Sequence, residues 1–137
     1  MSTVSYVDTR FLRQALQANG VFSGVSGLLT ILAAGPLTDL IGLSTSSILI
    51  GVGSGLIFYA VGLFRNASRD LINRTETYLA VIMDLAWLAG SAVIIFLGIL
   101  TTTGDWIIAI VADIVLLFGI LQWYGLKRMQ PVAGGGL

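Results

Sequence analysis

"YLAVIMDLAWLAGSAVIIFLGIL", residues 78–100, decides the fold. It is apolar nearly from end to end, and at about 1.5 Å of helical rise per residue it is long enough to cross a hydrocarbon layer of roughly 30 Å. It carries a single carboxylate, Asp84, a few residues in. Three further apolar stretches of similar length accompany it, so the chain reads as four transmembrane helices over residues 15–34, 46–64, 77–100 and 106–126. A helix buried in a water-soluble core is the competing reading for any one of them. Four together leave almost no polar face with which to cover such a core.

Composition agrees. Of 137 residues, 56% are hydrophobic and only 10% charged, far from the balance of a soluble globular domain. The predicted class is therefore an all-α membrane protein, a compact antiparallel four-helix bundle forming one domain over residues 1–137. Seven basic residues cancel seven acidic ones, which leaves no net positive surface to hold nucleic acid. The chain has no Cys and no His, so disulfides, thiolate chemistry and the commonest metal ligand and neutral-pH base are all missing. No catalytic residue, metal site or cofactor is expected, and the lipid bilayer is the expected surrounding. The polar start, with Asp8, followed by a long apolar run, is not the pattern of a cleaved signal peptide.

The joints divide the chain in the same way. Gly35-Pro36 is expected to stop the first helix and the Ser/Thr cluster at 44–47 to start the second, while "TTTGD" (101–105) turns the third into the fourth. The charges orient the whole. Arg10 and Arg13 precede the first span, Arg65, Arg69 and Arg74 fall in the middle connection, and Lys127 and Arg128 follow the fourth. The other two connections contain no basic residue. By the positive-inside rule both termini and the middle loop lie in the cytoplasm, with a bacterial inner membrane as the expected location. The sequons at Asn66 and Asn73 would then face the wrong compartment for glycosylation.

The chain also reads as two similar helical hairpins. Superposing them places Asn19 on Asp84, Phe22 on Trp87 and Ser26 on Ser91, and aligns "FYAVGLF" (58–64) with "LQWYGLK" (121–127). Both hairpins start on the same side, so such a repeat is parallel, about an axis along the membrane normal.

Polar groups within the spans are expected to face inward, because hydrocarbon offers them no hydrogen bond. On the first span Asn19, Ser23, Ser26 and Thr30 share one helix face, and on the third Thr77, Asp84, Ser91 and Gly98 do. The second adds Ser47 and Ser54, the fourth Asp113. Asn19, Ser23, Ser26, Asp84, Ser91 and Asp113 form the candidate intramembrane polar site. With no basic residue in the spans, each buried Asp must be protonated or reached by water. Measured from the cytoplasmic ends, Asp84 lies about 10 Å deep and Asp113 about 20 Å, too far apart along the normal to share a proton directly. Asn19 lies near the depth of Asp84, and an Asn19–Asp84 hydrogen bond is the specific pairing expected. Small residues at Gly20/Gly24, Ser23/Gly27, Gly51/Gly55 and Ala86/Gly90 are the expected points of close helix approach within the chain, with self-association as the other use for such a face.

The strings "ANGVFSGVSG", "GPLTDLIGL", "GVGSGLIFYAVGLF" and "DLAWLAGS" together resemble a class of small bacterial four-helix integral membrane proteins to which no activity is assigned. That resemblance, over residues 18–126, implies the architecture and no functional residue. Small multidrug-resistance transporters are similar in length but require a Glu in the first helix, where this chain has only Gln14, Gln17 and Asn19. The leading functional expectation is a non-enzymatic accessory or assembly partner of other membrane components. The alternative is a small proton-coupled permease working through Asp84, Asn19 and Ser91.

Overall fold

The computed structural model describes residues 10–128. These form helices α1 (Arg10–Leu32), α2 (Ala34–Ile41), α3 (Ser46–Ala67), α4 (Arg74–Leu97) and α5 (Thr102–Arg128). Four of them, all but α2, are long and apolar enough to span a bilayer. The chain ends lie outside the described residues.

The exposure pattern is the reverse of a soluble protein's. Phe96 is 89% exposed and Phe58 79%, while Gln122 and Thr77 are fully shielded and Asn19 is only 1% exposed. Large apolar side chains point outward along every long helix, and amides, hydroxyls and a carboxylate are inside. In water that arrangement would cost heavily on both counts; in hydrocarbon it is the stable one. It supports a membrane-embedded protein.

The short helix α2 corrects the reading of the first joint. Gly35-Pro36 was expected to end the first helix, yet α1 already ends at Leu32 and Pro36 sits in the opening turn of α2. A helix's first turn has no internal acceptor for its N–H groups, so a residue lacking one is at no disadvantage there. α2 ends at Gly42, whose φ of 93° is the left-handed conformation glycine adopts most readily. Its last carbonyls are taken up by the other outer connection: the Thr101 N–H donates to the Ile41 oxygen at 2.9 Å and the Thr101 hydroxyl to the Leu40 oxygen at 2.7 Å. The same hydroxyl accepts from the Gly104 N–H at 2.9 Å, so Thr101 caps α5 while binding α2. Gly104 lets the two elements meet, for a Cβ there would lie 2.6 Å from the Ile41 oxygen.

The middle connection is tied at the opposite end. Asn66 accepts from the Asn73 N–H at 2.7 Å and donates to Thr77 Oγ1 at 3.0 Å, and Asn73 caps α4 through the Glu76 N–H at 2.9 Å. Both sequon asparagines therefore serve the turn. The Arg13 guanidinium donates to the carbonyl oxygens of Ala67 and Arg69, the first at the last residue of α3, where a cation complements the helix dipole. A core of Leu12, Leu16, Leu63, Ala67, Ile72, Ala80 and Leu126 closes this end. Aromatic rings collect there too, Phe11 against Tyr124 and Tyr78 against Trp123, with Lys127 above Trp123.

Packing is pairwise. α1 lies closely along α3 and α4 along α5, α1 and α5 join the pairs, and the α3–α4 seam is loose. Along the α1–α3 seam, Gly20 meets Phe64, Gly24 meets Ala60 and Gly27 meets Gly53, so residue numbers rise on one helix as they fall on the other. The closest approach is at Gly27 and Gly53, where a Cβ on either would lie 2.6 Å from the other's carbonyl oxygen. Gly20 and Gly24 thus stand where close contact was expected. Gly51, Gly55 and Gly90 do not: a Cβ at any of them would meet nothing within 4 Å. α3 is turned so that Gly53 faces α1 and Gly51 faces outward, while Gly55 borders a hollow shared with Ser23, Ser26 and Asp84. In a helix apolar all round, small-residue spacing alone does not say which face is buried.

Candidate functional site

Four polar side chains, one from each long helix, converge between the helix pairs. α1 supplies Asn19, α3 Tyr59, α4 Asp84 and α5 Gln122. The Tyr59 hydroxyl donates to Asp84 Oδ1 at 2.8 Å; Gln122 Nε2 donates to Asp84 Oδ2 at 2.8 Å, and Asn19 Nδ2 to the same oxygen at 3.1 Å. Asn19 Nδ2 also donates to Gln122 Oε1 at 2.8 Å, and Ser23 Oγ donates to Asn19 Oδ1 at 3.1 Å. The Tyr59 oxygen lies 3.0 Å from the Ala80 carbonyl oxygen as well.

Asn19, Ser23, Asp84 and Gln122 are all buried, and Tyr59 is partly so. Each carboxylate oxygen accepts at least one hydrogen bond. Such a network stabilises a bundle when all its members are satisfied and destabilises it when one is missing. Its position follows from the helical rise: Asn19 is nine residues into α1 and Asp84 ten into α4, hence about 13–15 Å from the basic end.

Of the residues expected in the polar site, Asn19, Ser23 and Asp84 are brought together, and the Asn19–Asp84 hydrogen bond is present. Ser26 lies outside the network but lines a cavity beside it. Ser91 is buried, two turns further along α4, and takes no part in the network. Asp113 corrects the inward reading: it is exposed on the outer side of α5, with Ala112 and Val115 on the buried side. Thr30 and Ser54 hydroxyls turn back to the Ser26 and Ile50 carbonyls of their own helices, which satisfies them without a neighbour. Gly98 is not on the α4 face at all; it caps the helix at φ 66°.

Sequence reading singled out neither Tyr59 nor Gln122, yet the hairpin superposition contained the signal. Its second part, which sets "FYAVGLF" on "LQWYGLK", places Tyr59 on Gln122, two residues out of the register that places Asn19 on Asp84. The network takes one pair, Asn19 and Tyr59, from the first hairpin and the other, Asp84 and Gln122, from the second.

A cavity of about 240 Å³ adjoins the network, lined among others by Ser23, Ser26, Tyr59, Asp84 and Trp87. Its walls are otherwise apolar, and the buried Trp87 indole nitrogen has no hydrogen-bond partner. A second hollow of about 200 Å³ runs along the α3–α4 seam toward Asn66 and Glu76, with Tyr59 and Met83 shared by both. No family model matches the chain, and no curated protein or solved structure does either.

Proposed function

We propose that the chain is an integral protein of a bacterial inner membrane, its four long helices forming an antiparallel bundle with both termini and the 68–73 loop in the cytoplasm. Its role is non-enzymatic: an accessory or assembly partner of other membrane components. The gathering of Arg13, Arg65, Arg69, Lys127 and Arg128 at one end, beside the aromatic rings of Tyr78, Trp123 and Tyr124, supports the orientation. One observation carries the functional reading. Both oxygens of Asp84 accept hydrogen bonds, from Tyr59, Asn19 and Gln122, so this one carboxyl ties four helices together. The acid serves as a clamp in a body whose outer faces meet lipid and other proteins.

The second reading, a small proton-coupled permease using Asp84, draws on the cavity of about 240 Å³ that reaches the carboxylate past Ser23 and Ser26. One experiment separates the two and tests the topology with them. The chain has no Cys, so single cysteines report cleanly. Thr102→Cys should react with a membrane-impermeant maleimide applied from the periplasmic side and Ser68→Cys only after lysis. In the same cells Asp84→Asn should insert, fold and sustain whatever phenotype deletion abolishes. A folded Asp84→Asn protein that has lost that phenotype favours the permease, and reversed labelling overturns the orientation.

A further inference from the structure

We infer that the outer face of α5 is a self-association surface on which the Asp113 carboxyl of one copy meets Asp113 of a second copy. The inference goes beyond the accessory role and rests only on the transmembrane placement of α5. Asp113 lies eleven residues past Thr102 and fifteen before Arg128, about 16 Å and 22 Å from the two ends of the helix. It is exposed there, and among the described residues it has no hydrogen bond or ion pair. Asp84 shows what this chain does with a carboxyl at depth: it surrounds it with donors. Ionisable groups in hydrocarbon face a protein interior, a water-filled space or one another, and outward on α5 only another chain can provide that.

The neighbours of Asp113 make the face continuous. Trp106, Ile110, Leu117 and Ile120 are each more than half exposed, and with Asp113 they repeat at spacings of four, three, four and three residues. That is the period of a helix seam that packs against a like helix, and a lone polar residue at one core position of such a seam sets register and oligomer state. The outward faces of α3 and α4, which present Phe58, Val61, Ile82 and Phe96, have no such acid.

Three features single out a second copy as the partner. The basic residues turn every copy the same way up, so Asp113 lies at the same depth in each. A two-fold axis along the membrane normal then places carboxyl against carboxyl, whereas a different protein would need a matching donor at that depth. Finally, the spans contain no basic residue that could meet the acid in another register. Two carboxyl groups brought together satisfy each other through an O–H···O hydrogen bond, as an Asn pair could through its amides.

Disulfide trapping tests this in proteoliposomes of the purified protein and in native membranes, with a membrane-permeant oxidant. Ile110→Cys and Leu117→Cys should each give a cross-linked dimer as the main product, at least tenfold more than Phe58→Cys on the outer face of α3. In the Leu117→Cys background, Asp113→Leu should lower the dimer yield at least tenfold and Asp113→Asn should preserve it. Asp113 is exposed and among the described residues makes no hydrogen bond or ion pair, so the monomer's thermal stability should be the same in all three, and Thr102→Cys labelling of the same preparations reports the topology separately. Equal trapping at Phe58, no trapping on α5, or indifference to Asp113→Leu overturns the inference. So does a cross-link to another protein in native membranes with no dimer in proteoliposomes, which would assign the face to a different partner.

Discussion

Asp84→Leu will lower the stability of the bundle by about 1–3 kcal/mol, while Asp84→Asn will cost much less. The difference follows from counting what each replacement leaves unpaired. With Leu, the Tyr59 hydroxyl can still turn to the Ala80 oxygen and the Asn19 amide to Gln122 Oε1, but Gln122 Nε2 loses its acceptor in a site that Gln122 shields completely. An orphaned buried donor costs its full desolvation, which is where most of the loss arises. With Asn, the amide oxygen can stand at the Oδ2 position and accept from both Asn19 and Gln122. The amide nitrogen then donates to the Tyr59 oxygen while the Tyr59 hydroxyl donates to Ala80. Thermal unfolding of the purified variants in one detergent measures the gap, and equal stability of the two would show that the network contributes nothing.

Gly53→Leu is expected to destabilise by about 1–3 kcal/mol or more, the range for forcing a side chain into a filled contact. A Cβ at position 53 would lie 2.6 Å from the Gly27 oxygen and 2.7 Å from Ile31 Cγ1, so even the first carbon of the new side chain pushes α1 and α3 apart. Hydrocarbon makes that separation consequential. Association of helices in lipid relies on close van der Waals contact, since an apolar side chain is as well solvated by lipid tails as by its neighbours. Gly51→Leu, two residues away and pointing outward, should match the parent within a few tenths of a kcal/mol, the usual range for surface changes. The same detergent melts check both, and a Gly51→Leu protein that is the less stable of the two would show that α3 is turned the other way.

The two glycine pairs mark where sequence legibility ends. Span number, the middle and last connections and the Asn19–Asp84 pairing were readable, because long apolar runs, basic residues and a buried amide at matching depth are strong local signals. Rotation of α3 and α5 about their axes was not. When a helix is apolar all round, its pattern does not distinguish a lipid-facing side from a protein-facing one, so Gly51 and Gly55 looked as suitable as Gly53, and Asp113 looked as buried as Asp84. Tyr59 escaped notice for a related reason: an uncharged ring in an apolar span carries no mark of which way it faces, and its role became visible only through its hydrogen bond to Asp84. The α2 helix was hidden by Gly35-Pro36, which serves equally well as a stop or as the first turn of a new helix.

Most directly at stake is that the four long helices are clamped through one carboxylate. A double-mutant cycle tests it: Tyr59→Phe removes the donor to Asp84 Oδ1 and Gln122→Leu removes a donor to Oδ2, while the two side chains have no hydrogen bond to each other. If both act through Asp84, their effects on unfolding free energy in detergent should be non-additive, with a coupling of at least about 0.5 kcal/mol. Additivity within about 0.3 kcal/mol, the behaviour of independent sites, would contradict the clamp.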